Sequence, residues 1–269
     1  MTPGGEPGVS DFGISAGGAT AAETGRTAHA EHPEGDPRFA LAAAVRRVIT
    51  AMVAANVPDE ETRALTGVVE SVADRLEGRA GPGRRPRTQP DPTGPPQEFF
   101  PTSPAIGFAN PVAPPVLVEA ADGGLVGSAF FDYAYEGPPG CVHGGVIALV
   151  FDELLGATSI ATGQPGMTGT LTVRYRRPTP LRTPLRLEAR FVERRGRKIT
   201  ISGAVYDGDV MTAEAEGVFI ELVPERFVEV IGAHAITADV MAQIRAEAAA
   251  AGVPTGSLGD EGEGGPTPG

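Results

Sequence analysis

Asp152 stands eight residues after Gly144, at the end of the apolar run Val146–Phe151. Gly144 sits inside a His143-Gly144-Gly145 triplet, just after the turn-forming stretch Glu136-Gly137-Pro138-Pro139-Gly140. A Pro/Gly turn running straight into an apolar segment predicts a helix whose first turn is made of glycine. Such an N-terminus presents unpaired backbone N–H groups, and the positive end of the helix dipole, to an anionic oxygen. A carboxylate among apolar neighbours is a candidate base or nucleophile. Together these residues suit acyl transfer at a prebuilt oxyanion site, with Gly144 as the N–H donor and Asp152 as the reactive carboxylate. His143 suits a positioning role, holding the turn by a side-chain hydrogen bond, at least as well as direct proton transfer. Glu153 is the rival carboxylate. Cys141 precedes His143 by two residues, but no third group that would orient a Cys–His pair is evident.

Eight residues of helix separate Gly144 from Asp152 by roughly 12 Å along the axis. A reacting carbonyl must come within about 3 Å of each. One helix cannot serve both, whereas two antiparallel helices from two subunits can.

Several elements must position these groups. Strand-like runs are expected at Pro115–Ala120 and Leu125–Tyr135, separated by the turn Asp122-Gly123-Gly124. A helix over roughly His143–Thr162 is apolar or small at nearly every position, so it is buried on most sides. Four further strands follow, at Thr168–Arg177, Leu185–Arg194, Lys198–Asp207 and Val210–Leu222, with compact turns at Gly196 and Gly208. A curved antiparallel sheet around one helix satisfies this order, because both need burial. Ahead of this body, about residues 98–227, Phe39, Leu41, Val45, Val48 and Met52 recur at helix spacing. Leu65, Val68, Val69, Val72 and Leu76 do so again after Pro58-Asp59. Residues 38–77 therefore predict a helical hairpin. Residues 1–37 are too poor in large apolar side chains to order. Residues 78–97 form a Pro/Gly/Arg linker. A short helix over Thr237–Ala251 and an acidic tail occupy 228–269.

The net charge of −12 argues against a general nucleic-acid partner. The single Cys excludes an intrachain disulfide framework and a cysteine metal cluster. No apolar run approaches a membrane span, and the N-terminus lacks the pattern of a signal peptide. The expected location is cytoplasmic. Against this acidic background ten cations crowd into residues 174–198, either as solvated strand faces or as a local anion site.

The order of elements and the Glu136–Asp152 motif resemble the hotdog-fold acyl-CoA thioesterases of the phenylacetate-pathway (PaaI-like) group. They are more similar still to the animal thioesterase-superfamily enzymes that hydrolyse long-chain fatty acyl-CoAs. The shared features are the Glu-Gly-Pro-Pro-Gly lead-in, the His-Gly-Gly, Asp152 after six further residues, Met167-Thr168, Tyr175-Arg176-Arg177-Pro178 and Gly196-Arg197-Lys198. The resemblance covers residues 110–225. It implies an α+β hotdog fold, an antiparallel sheet wrapped around a central helix, here preceded by the helical hairpin. It implies hydrolysis of an acyl-CoA in lipid metabolism without a cofactor or metal, at sites shared across a homodimer that in some members pairs into a tetramer. In that pattern Asp152 is the base or nucleophile, Gly144 the oxyanion donor, and Thr168 a hydroxyl that orients water beside the carboxylate. Gly145 falls with the substrate-binding residues. Arg176, Arg177, Arg197 and Lys198, at a strand end and a hairpin, are placed to meet the phosphates of coenzyme A. One departure stands out: many bacterial PaaI-like enzymes carry Asn where this chain has Gly137. Two other readings are a hotdog protein that binds acyl-CoA or acyl-carrier protein without turnover, and a hotdog hydratase.

Overall fold

The structure is a computed structural model that describes residues 36–79 and 101–221. The disordered N-terminus, most of the linker, the helix over 237–251 and the acidic tail expected from the sequence lie outside the described residues.

Six strands form one antiparallel sheet: β1 (Val116–Ala121), β2 (Gly124–Ala129), β3 (Gly166–Tyr175), β4 (Leu185–Arg195), β5 (Lys198–Asp207) and β6 (Val210–Glu221). Their order across the sheet is β1-β2-β4-β5-β6-β3. The β4–β5 and β5–β6 hairpins turn in two residues each, since Arg195 pairs with Lys198 and Asp207 with Val210. The chain leaves β2 and crosses to β3 through helix α3 (Gly144–Ala161). That crossover puts β3 at the far edge, paired with β6 alone among the described residues.

Alternation along the strands gives the sheet an apolar inner face: Leu185, Leu187 and Ala189 on β4, Ile199, Ile201 and Val205 on β5, and Ala213, Ala215 and Phe219 on β6. Helix α3 lies against this face and contributes Ile147, Val150, Phe151, Leu154 and Leu155 to the same core. The sheet curls around one helix, as the hotdog expectation requires.

Two expectations need correction. The second strand stops at Ala129 rather than running to Tyr135. Phe131 turns into the core, and the Asp132 carboxylate accepts the Tyr133 N–H to cap a 3₁₀ turn over Tyr133–Tyr135. The chain must leave the sheet there to reach α3. The second correction concerns membrane-length segments: α3, with 18 residues, is long and apolar enough to cross a membrane by length and composition alone. Its packing under the sheet accounts for that composition, because a helix covered on most sides is apolar nearly all round.

The two N-terminal helices are present as α1 (Pro37–Ala54) and α2 (Asp59–Glu77). Asp36 caps α1 by accepting the Arg38 N–H, and Pro37 sits in the first turn. Phe39 packs on Phe108 with ring centroids 5.6 Å apart, and the Arg46 guanidinium donates to the carbonyls of Ala113 and Asn110. Helix α1 is thus docked on the body. Helix α2 buries no side chain. The stripes Leu41–Met52 and Leu65–Leu76 are both exposed, so the two helices do not cover each other as a closed hairpin would.

Candidate active site

The turn before α3 is pinned from both sides. The Gly140 N–H donates to the Glu136 carboxylate at 2.7 Å, the Val142 N–H to the Thr179 carbonyl, and the His143 N–H to the Tyr135 carbonyl. Tyr135 is anchored in turn: its hydroxyl donates to the Ala113 carbonyl at 3.1 Å, the same oxygen that receives Arg46 from α1. Burial pushes the Tyr135 phenol above its ordinary pKa, and the nearby Arg46 offsets part of that rise. Gly137 has a local reason. A Cβ there would sit 2.7 Å from the His143 Cα, so no larger residue fits this tight turn without moving it.

His143 is the N-cap of α3, and its Nδ1 accepts the Gly145 N–H at 3.0 Å. A neutral ring in that arrangement carries its proton on Nε2. The Gly145 N–H is therefore engaged, and Gly145 offers a ligand no donor. The Gly144 N–H, by contrast, has no acceptor among the described residues. The Gly144 carbonyl accepts the Tyr175 hydroxyl at 2.8 Å, and a Cβ on Gly144 would meet that ring at 3.3 Å. Tyr175 thus ties the end of β3 to the first turn of α3. Sequence reasoning quoted Tyr175 within a motif and gave it no role. The signal was there, since an aromatic hydroxyl eight residues beyond Met167 on the adjoining strand reaches the other end of the helix.

Two turns along α3, the Thr168 hydroxyl donates to one Asp152 carboxylate oxygen at 2.9 Å. Asp152 is half-buried and Thr168 exposed. The structure thus brings Asp152 and Thr168 together at the middle of α3, and His143, Gly144 and Gly145 at its start. The two groups stand roughly 12 Å apart on one straight helix. Gly145, Leu149, Asp152 and Ile160 run along a side of α3 that its own sheet leaves open; Leu149 and Ile160 remain 38% and 40% exposed. Met167 and Tyr175 on β3 are also exposed beside it.

The four cations divide likewise. Arg176 and Arg177 follow Tyr175 at the Gly144 end. Arg197 and Lys198 form the β4–β5 hairpin at the Thr168 end, since Lys198 pairs with Ile220 and Ile220 with Met167. About 26 Å of β3 lies between the pairs. Arg176 also pairs with Glu214 at 2.5 Å, an oxygen that Arg174 approaches at 3.5 Å. Within one chain the two cationic pairs do not meet.

The sequence profile of the thioesterase superfamily matches residues 139–214, which hold the turn, α3, Asp152 and Thr168. A crystal structure of a thioesterase superfamily protein is 34% identical and aligns over 71% of this chain and 94% of its own, with a TM-score of 0.64. The chain belongs to the thioesterase superfamily. Among curated members of that superfamily, acyl-coenzyme A thioesterase THEM4 of Xenopus laevis is 36% identical over 91 residues, 33% of this chain and 41% of the relative. The Bos taurus protein of the same name is 37% identical over 93 residues, 34% of this chain and 38% of the relative. This chain therefore spans about two fifths of the length of the curated relatives it matches. The structural match reaches further than the domain: 71% of 269 residues is about 191, more than the 121 described residues of the body at 101–221.

Proposed function

We propose that this thioesterase-superfamily chain hydrolyses an acyl-CoA thioester to the free acid and coenzyme A, at sites that each need two copies of the chain. The observation that carries the reading is the Asp152–Thr168 pair, held at 2.9 Å and open to solvent on the uncovered side of α3. Thr168 occupies one carboxylate oxygen and leaves the other to take a proton from an attacking water. The developing oxyanion then needs a preorganised donor, and the Gly144 N–H at the helix start suits it. Because Gly144 at the start of α3 and Asp152 at its middle are too far apart, Gly144 must come from a second copy. Two features support that partner: the outer edge of β3, which no described strand pairs, and the apolar strip of Leu149, Ile160 and Met167 beside it. In an antiparallel pair, Arg176 and Arg177 of one copy stand at the same end as Arg197 and Lys198 of the other. A CoA nucleotide there meets both. His143 acts as a positioning residue, and the name shared by the THEM4 relatives supports the choice of acyl-CoA as substrate.

The experiment is a free-thiol assay over acyl-CoAs of graded chain length and aromatic character. Asp152→Asn keeps the shape and removes the base, so kcat falls about a hundredfold or more with the fold intact. Near-normal kcat would move the role to Glu153. Tight CoA binding with no hydrolysis of any acyl-CoA would make the chain a binding protein. A single turnover in labelled water separates base from nucleophile: attack by the Asp152 carboxylate would leave label in Asp152.

A further inference from the structure

Helix α2 has 19 residues and buries none of them, yet its sequence carries a continuous apolar stripe: Leu65, Val68, Val69, Val72 and Leu76. Their exposures run from 42% to 62%. At 100° per residue these five fall within about 60° of one line on the helix surface. A helix of this length is marginal in water without a covered face. The described body offers it none.

The central part of the α2 stripe reads the same from both ends. About a centre between Val68 and Val69, Leu65 falls opposite Val72, and Val68 opposite Val69. The charges follow that symmetry approximately: Glu61 and Arg75 stand at nearly equal distances before and after that centre, with Leu76 opposite Glu61 and Thr62 opposite Arg75. Glu61 and Arg75 lie on one flank of the stripe, one toward each end, and neither has an ion-pair partner among the described residues. When two such helices meet antiparallel about a two-fold axis, like flanks adjoin. Glu61 of each copy then stands beside Arg75 of the other, twice over. A parallel pair would instead set Glu61 level with Glu61 and Arg75 level with Arg75, on opposite sides of the seam, and would make neither Glu61–Arg75 contact.

We propose that α2 is a homotypic docking element, which pairs antiparallel with α2 of a second copy of this chain through Leu65, Val68, Val69 and Val72. The contact is self-complementary, as a two-fold interface requires. It is also small. A helix about 28 Å long and about 10 Å wide covers near 300 Å² per copy, against about 800 Å² per partner in a standard interface. It therefore serves as a second contact in an assembly held elsewhere, and for that strength it rests on the two-copy reading above.

The test uses the full chain with Cys141→Ser, so that introduced thiols are the sole ones. Under mild oxidation Val69→Cys should cross-link to itself, because residue 69 of each copy lies at the axis. Leu65→Cys alone should not, nor should Val72→Cys alone, because each is about 10 Å from its own symmetry mate. Mixing those two should give the cross-link. Gly67→Cys, on the far face, should stay reduced. Glu61→Arg should slow the Val69→Cys cross-link severalfold, and Glu61→Arg with Arg75→Glu should restore it. Self-linking of Leu65→Cys with none in the mixture would show a parallel pair and overturn the proposal. So would a protein shown dimeric by light scattering in which Val69→Cys links no faster than Gly67→Cys. A monomer by light scattering, again with no cross-link, would overturn both this contact and the two-copy site, so the two failures are distinguishable.

Discussion

Helices α3 and α2 are of nearly equal length, 18 and 19 residues, and both carry an apolar stripe. Eight residues of α3 are buried, and among the described residues nothing covers α2. An apolar stripe states which face must be covered and leaves open what covers it. On α3 the partner is local, the inner face of the same sheet. On its opposite side, and along all of α2, no described residue supplies the covering surface, and a second copy of the chain is the proposed cover.

The largest effects should come from the covered side of α3. Leu155 is fully buried between β5 and β6. Leu155→Ala removes that packing and should lower unfolding free energy by about 3 to 5 kcal/mol, read by denaturant titration. Leu65→Ala on α2 should move the same transition by less than about 0.5 kcal/mol, as an exposed substitution does. Comparable losses at both sites would mean that the α2 stripe is covered as completely as the core face of α3, more than a small second contact provides.

Between these extremes lies the open side of α3. Leu149→Asp should leave the secondary structure intact, shift the protein toward monomer in light scattering, and lower activity with it, since a charge at an apolar contact opposes association. A stable, fully active monomer would break the argument that this side is shared.

Tyr175→Phe should cost several-fold in kcat with little change in the unfolding midpoint, because it frees the Gly144 carbonyl without emptying the core. Restored activity is not expected from a bulkier residue at Gly144, where a Cβ already meets the Tyr175 ring. The smallest effect concerns pH. The Tyr135 phenol is held un-ionised above its ordinary value of 10.0. The unfolded chain gives up that proton first, so the stabilisation is full below pH 10 and is lost as pH rises through the higher folded value. Tyr135→Phe should flatten the alkaline limb of the stability curve.

The sequence made the body legible where one local rule governed. Strand-like runs broken by the compact turns at Gly196 and Gly208 marked β4, β5 and β6, and the Gly/Pro turn with its apolar sequel marked α3 to within a residue. Spacing singled out Asp152 and Gly144, the family resemblance singled out Thr168, and the structure sets the Thr168 hydroxyl on the Asp152 carboxylate. Other features depend on contacts remote in sequence. The end of β2 depends on Phe131 finding the core. The roles of Gly145 and Tyr175 depend on which N–H His143 captures and where β3 ends relative to α3. The separation of Arg176 and Arg177 from Arg197 and Lys198 follows from sheet order, which no local pattern encodes. The exposure of the α2 stripe is a tertiary fact that a helical stripe alone does not state.

The claim that each site joins Gly144 of one copy to Asp152 of another is tested most directly by mixing two damaged chains. Asp152→Asn removes the carboxylate, and Gly144→Pro removes the N–H at a first helical position that accepts proline. Each parent alone should be nearly inactive. After subunit exchange, half of the dimers are mixed and each holds one intact site of two, so about a quarter of the native activity should return. Activity no greater than that of the parents, with exchange demonstrated by mass, would contradict the shared site.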